Sequence, residues 1–454
     1  MHIFNAYYFK NEKRMSIKLR LILMNFLQFF VWGSWLLTIG AYWFQTLPKL
    51  YPVLDPVTHS SVWTGSAFGA LFSTMGISSL FMPALMGIIA DKWINAEKLY
   101  GICHLLGAVV LFSLPMVKDP TTMFWVLLVN MLFYMPTISL SITVAYNSLK
   151  KKGADVVKDY PPIRVWGTIG FIVALWVISL SHLETSAGQF YVASAASLLL
   201  GLYSFSLPKC PPLLGKKQNK SIADALGLTS FALFKQRKMA LFFIFAMLLG
   251  AALQLTNAYG DTFLHDFANI DKYKDLTAVK YPAIIMSISQ VSETLFILAI
   301  PFFLRKFGIK YVMFFSMMAW VLRFGLFAYG NPGDGLWMII LSCIVYGMAF
   351  DFFNISGSLF VETQSAPEIR ASAQGLFMMM TNGFGAVIGS SLSGVIIQKY
   401  FTNYADNSKD WHGIWLAFAS YAFVVAVLFM LFFKYKHNPL ADKNIHPEPV
   451  LVHE

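Results

Sequence analysis

Apolar residues fall along this chain in long runs, separated by short turn-forming or charged stretches. A helix that crosses a bilayer needs about 20 apolar residues at 1.5 Å rise each. Runs of that kind recur at roughly 20–45, 63–90, 98–117, 121–148, 163–183, 187–207, 239–266, 281–305, 309–329, 335–363, 370–397 and 410–434. The breaks are Tyr51-Pro52, Asp91-Lys92, Lys118-Asp119-Pro120, Lys150 to Tyr160, and Asn331-Pro332-Gly333. Pro83, Pro115 and Pro136 lie inside runs, which membrane helices tolerate better than soluble ones. The pattern predicts an all-α membrane protein of twelve spans.

The longest interruption, 208–238, divides the spans six and six. The organisation expected is a cytoplasmic N-terminal segment at 1–19, a six-helix bundle at 20–207, a cytoplasmic central loop at 208–238, a second six-helix bundle at 239–434, and a cytoplasmic tail at 435–454. The loop opens with Pro208, Pro211 and Pro212, continues through Lys216-Lys217, and ends in Ser221 to Phe234. That last stretch is expected to form a short amphipathic helix on the membrane surface. Six plus six spans around a basic loop is a layout of two-bundle transporters. The first run reads as a span and not a cleavable signal, because it is long and lacks a small-residue cleavage site.

Composition agrees: 57% of residues are hydrophobic and 13% charged, against about 25% charged in soluble domains. The net charge of +11 would suggest nucleic acid in a soluble protein. Here the basic residues sort by side. With the N-terminus inside, 25 Lys and Arg fall in inner segments, 7 in outer loops, and Arg164 and Arg323 in spans. This is the positive-inside bias, so both termini are expected in the cytoplasm of a bacterial inner membrane, and no nucleic-acid partner is expected. Cys103, Cys210 and Cys343 suggest neither a disulfide framework nor a metal site. The nine histidines are scattered, and there is no HExxH pattern and no P-loop. An enzyme and an ATP-driven pump are both disfavoured.

Charge in a bilayer core is expensive, so ionisable groups inside spans mark the place to look. Glu293 stands twelve residues from both Tyr281 and Arg305, about 18 Å of helix on each side. Asp351 is similarly deep. Gln290 lies one turn before Glu293, Gln254 one turn before Asn257, and Asp351 one turn before Asn354. Three helices of the second half thus present paired polar groups at one depth, supplying donors and acceptors together. Such a set suits a solute rich in hydroxyls and ring nitrogens, and residue types alone leave a sugar as open as a nucleoside. Tyr346 and Phe350, beside Asp351, are aromatics that stack on a planar base or simply pack. In the first half, Arg164, Thr168 and Phe171 share one helix face. Arg164 is near the inner end of its span, where snorkelling is the competing reading. Arg323 reads as structural. Gly87 with Asp91-Lys92 partly matches the loop motif that follows the second span in the major facilitator superfamily, with Trp93 and Ile94 replacing the usual glycine and arginines.

Longer stretches carry a closer likeness: Leu27-Gln28-Phe29-Phe30-Val31-Trp32-Gly33-Ser34-Trp35, Pro161 through Phe171, Ile285 through Phe296, and Ala349 through Ser358. Through them the chain, from about Met15 to His437, resembles the bacterial nucleoside:proton symporters of the major facilitator superfamily. The resemblance implies a monomeric secondary transporter that imports nucleosides by alternating access, with the proton as coupling ion and no cofactor. It places Arg164, Thr168 and Phe171 on one side of a substrate cavity. Gln254, Asn257, Gln290, Glu293, Tyr346, Phe350 and Asp351 fall on the other. Glu293 and Asp351 are the candidate proton carriers. Residues 1–14 stand either as an extension relative to that family or as an artefact of the assigned start codon. A symporter of another polyhydroxylated solute such as a sugar, and a xanthosine-type purine nucleoside specialist, are the alternatives.

Overall fold

The computed structural model describes residues 16–52, 54, 61–212, 228–366, 369–403 and 408–435. Helices dominate: α1 Ile17–Gly33, α2 Gly65–Lys92, α3 Ala96–Ser113, α4 Pro120–Lys150, α5 Val156–Leu180, α6 Gly188–Ser204, α7 Arg237–Asp266, α10 Leu336–Gln364 and α12 Trp411–Phe432. The continuous Pro282–Tyr329 is two helices, α8 (282–307) and α9 (309–329), meeting at Gly308. Gly308 has φ 76°, a left-handed conformation that costs glycine nothing and other residues dearly. α11 (370–400) contains a π-helical stretch, Met379–Gly385. Among the described residues nine helices, one of them the kinked pair, are long and apolar enough to cross a membrane. α1 and α6, at 17 residues each, fall just short by length.

The structure departs from the sequence reading in four places. The first run is not one helix: α1 stops at Gly33, a turn follows, and helix resumes at Ile39. Ser34 Oγ donates to the Phe30 carbonyl at 2.8 Å, a bond of the kind that bends helices. α5 begins at Val156, ahead of the expected start, and runs through Pro161 and Pro162, interior prolines of the kind membrane helices tolerate. Pro115 lies in a 3-10 turn, Leu114–Met116, that ends α3. Of the surface helix expected at Ser221 to Phe234, residues 221–227 lie outside the described residues. The remainder is a 3-10 helix, Leu228–Lys235. Leu233 is buried and Phe234 packs on Phe243 at 5.4 Å, so this part folds onto α7.

Contacts between the two halves gather at one end. Trp176 Nε1 of α5 donates to Ser287 Oγ of α8 at 3.0 Å. Gly65 N at the start of α2 donates to Gln398 Oε1 of α11 at 2.7 Å. Gln45 Nε2 donates to Asp266 Oδ1 at 3.3 Å. At the opposite end, where the described chain begins and finishes, polar contacts stay within one half. Lys18 pairs with Asp159 at 2.5 Å and Arg20 donates to the Ser206 carbonyl at 2.9 Å. Across from them, Lys238 donates to Gln364 at 3.1 Å and Arg370 pairs with Glu362 at 3.1 Å. The halves are therefore clasped at the end carrying residues 181–187 and 266–281.

Candidate functional site

Midway along the second half, α8 and α10 approach backbone to backbone. A side chain at Gly347 would meet the Ser292 carbonyl at 2.6 Å and the Glu293 nitrogen at 2.8 Å. The bare glycine lets the helices touch, and Ser292 Oγ donates to the Ile344 carbonyl. One turn past Gly347 stands Asp351. Glu293 and Asp351 are consequently within electrostatic reach of each other. Asp351 is buried and Glu293 half-buried. From the first half, Arg164 is the charge that acts on Glu293. Its guanidinium lies over the Phe29 ring at 4.1 Å, so it faces the interior between α1 and α5 instead of snorkelling. Thr168, one turn on, is half-buried. Phe171 is buried, and its backbone packs against Gly33 of α1.

Asn257, Gln290 and Tyr346 share a small cavity with Thr256, Ser289 and Arg323, closed from the first half by Leu37. The last four were not singled out by sequence as site residues. Arg323 is fully buried. Its Nη1 donates to the Ser342 carbonyl at 2.7 Å and approaches Ser289 Oγ at 3.4 Å, while Nε approaches Thr256 Oγ1 at 3.4 Å. The guanidinium also covers the Tyr346 ring at 4.6 Å. One arginine on α9 thus ties α7, α8 and α10 together and backs the tyrosine. Its structural reading holds, and its position against the cavity goes beyond it. Tyr346 and Phe350 are parallel, 5.8 Å apart with planes at 2°, so an aromatic wall runs beside Asp351.

Asn354 drops out of the third polar pair, because its Nδ2 donates to the Phe350 carbonyl of its own helix at 3.1 Å. Gln254 Oε1, Gln290 Oε1 and Asp351 Oδ2 are buried and have no hydrogen-bond partner among the described residues. Buried acceptors normally find a donor, and each one left without costs about 1–3 kcal/mol. Three on three adjacent helices make a surface ready to accept hydrogen bonds from something else.

A second polar network lies in the first half and escaped the sequence reading. Gln28 Nε2 donates to Thr137 Oγ1 at 2.8 Å, while Tyr100 OH and His104 Nε2 meet Gln28 Oε1 at 2.7 and 2.8 Å. It joins α1, α3 and α4, whose polar members stand 72 to 109 residues apart. No single-helix pattern could have grouped them. Its members are partnered, so it acts as interhelical glue.

Comparison with known proteins adds the following. The model of a family described as Nucleoside H+ symporter matches residues 15–438. Xanthosine permease of Escherichia coli (strain K12) is 54% identical over 431 residues, covering 95% of this chain and 99% of that protein. Nucleoside permease NupG of the same organism is 52% identical over 425 residues, covering 93% and 97%. A crystal structure of nucleoside transporter NupG superposes with a TM-score of 0.84 at 51% identity, over 93% of this chain and 100% of that one. A bacterial homologue of the lysosomal transporter Spinster shares the fold at 12% identity and a TM-score of 0.65.

Proposed function

The chain belongs to the nucleoside H+ symporter family, and on that premise we propose how this multi-pass inner-membrane importer of nucleosides holds its substrate and takes its proton. The nucleoside binds between the halves at mid-depth. Gln254, Asn257, Gln290 and Glu293 hydrogen-bond its ribose and base, and Phe171 or Phe350 lies against the base. Arg164 and Thr168 approach from the first half. The observation that carries this reading is the pair of unpartnered buried oxygens on Gln254 and Gln290. A ribose supplies hydroxyl donors, and a base supplies N–H donors. A flat base suits the parallel Tyr346–Phe350 wall.

Gln290→Ala and Asn257→Ala are each expected to weaken nucleoside binding about ten- to a hundred-fold, the value of one buried hydrogen bond, with expression unchanged. Titration calorimetry on purified protein reads this. Normal affinity in both variants removes the cavity from the argument. Uptake of a panel of radiolabelled nucleosides, xanthosine included and maltose as a sugar comparison, ranks the substrates.

Twelve spans in two six-helix bundles, with both termini in the cytoplasm, complete the proposal. The division at 208–238 and the 25-to-7 distribution of basic residues support it. Reporter fusions after Lys217 and after Lys272 should lie on opposite sides of the membrane, and finding both on one side would overturn it. With this orientation the clasped end is the outer one, and the state described is open to the cytoplasm. The carrier works as a monomer, without a cofactor, and the proton is the coupling ion.

A further inference from the structure

One cluster of ionisable side chains lies apart from the nucleoside site. Glu184 sits in the turn between α5 and α6, in the first half. Asp261 and His265 are one turn apart near the outer end of α7, in the second. Glu184 and Asp261 are almost wholly buried, and His265 nearly so. Glu184 Oε2 stands 2.5 Å from His265 Nε2, and Asp261 Oδ2 stands 3.6 Å from the same nitrogen. The other Glu184 oxygen accepts from the Ala283 backbone nitrogen at the start of α8, at 3.3 Å. A single glutamate of the first half therefore reaches two helices of the second, at the clasped end.

Two carboxylates and one imidazole buried together need protons or a cation to offset their charge. Both Asp261 oxygens lack a hydrogen-bond partner among the described residues. The three side chains could offer ligands to a metal ion, but the spacing argues otherwise. Two ligands on one zinc ion, each at about 2.0–2.2 Å, stand about 3.4 Å apart at a tetrahedral angle. The 2.5 Å between Nε2 and Oε2 is too short for two ligands of one ion and is a direct contact of the imidazole with the carboxylate. The oxygen is not aligned with the ring N–H, so the attraction is one of charge.

We infer that Glu184, Asp261 and His265 form a proton-binding latch across the outer gate, separate from the nucleoside site, which holds the gate shut when protonated and releases it when the proton leaves. Histidine is the group whose charge changes in the physiological range. A positive imidazole is what the two carboxylates attract, so closure and proton binding reinforce each other. Opening the gate carries Glu184 away from α7 and exposes His265 to outside water. The other charged groups nearby are engaged elsewhere. Asp266, next on α7, takes Gln45, Trp411 Nε1 at 2.9 Å and Lys409 at 3.8 Å. Lys409 lies over the Phe44 ring at 4.0 Å. His182, from the Glu184 turn, packs on Tyr281 at 5.5 Å. The latch does not carry the transported proton. It makes the outer gate respond to outside pH.

The inference rests on the orientation proposed above, and the test separates the two. Spin labels on K49C and K272C, exposed positions at the outer ends of the two halves, report the gate distance by pulsed electron resonance. Cys103, Cys210 and Cys343 are buried and do not compete for label. The background is E293Q/D351N, so the central carboxylates contribute no proton dependence. The closed-gate population should rise several-fold as pH falls from about 8 to about 5, the range histidine titrates. That rise should be absent in H265Q and in E184Q. E184Q keeps the side-chain shape and serves if H265Q does not fold. A pH response that persists in both variants, or no response with the latch intact, overturns the inference. Labelling of K49C and K272C on whole cells with an impermeant thiol reagent tests the orientation independently.

Discussion

Asp351→Asn is expected to bind nucleoside and fail to concentrate it. An importer that works without ATP draws on an ion gradient, and its carrier must be a group that binds and releases the ion in step with the gates. Asp351 is buried on α10, its Oδ2 has no partner among the described residues, and it is within electrostatic reach of Glu293. Glu293 is one turn from Gln290 and better placed to touch the substrate, while Arg164 of the other half acts on Glu293. Of the two acids, Asp351 is therefore the one assigned to the proton. Asparagine keeps the shape and one acceptor oxygen but cannot carry a proton. Binding should change by no more than about ten-fold, the effect of a 1.4 kcal/mol loss. Accumulation against a gradient should fall to background, and nucleoside-induced alkalinisation of the medium should vanish. If the variant still concentrates nucleoside and still alkalinises the medium, the assignment passes to Glu293.

The spans and the depth of the central polar groups were legible in the chain because both depend on local sequence. An apolar run of sufficient length becomes a helix whatever it packs against, and Gln290 and Glu293 share a face because of helical spacing alone. The break between 281–305 and 309–329 was legible too, and the backbone turns there at Gly308, whereas the interruption of the first run after Gly33 was not, because Ser34 to Thr38 carry no proline or charge to mark it. Arg323 looked structural because its position in the outer third of a span gives no hint of what it covers. Only the packing of α7, α8 and α10 around it puts it behind Tyr346. Glu184 and His265 were invisible for the opposite reason. They lie at a turn and near a helix end, where polar residues are ordinary, and their significance comes from a meeting across 81 residues that joins the two halves.

Gly69→Leu is expected to abolish transport while leaving nucleoside binding within about ten-fold, and the reason is the closeness of α2 and α11. A side chain at Gly69 would run into the Ser390 carbonyl oxygen and come within 2.9 Å of Gly394 Cα. One at Gly76 would meet the Gly383 carbonyl at 2.7 Å and the Val387 nitrogen at 2.8 Å. These obstacles are backbone atoms, which cannot swing aside as a flexible side chain does. Close helix contacts in membranes use small residues for this reason. The contact joins the two halves, so it must part when the outer gate opens and re-form when it closes. Leucine therefore does not disturb either half by itself. It blocks only the closed state, holding the carrier open to the outside with its cavity accessible. Uptake should fall to background, the K49C/K272C distance should shift to the open population at every pH, and nucleoside binding should report an intact fold. Gly325→Ala, where an added side chain meets nothing within 4 Å, is the matched control and should transport normally. Uptake by Gly69→Leu at the unsubstituted rate would mean that α2 and α11 do not close in the transport cycle.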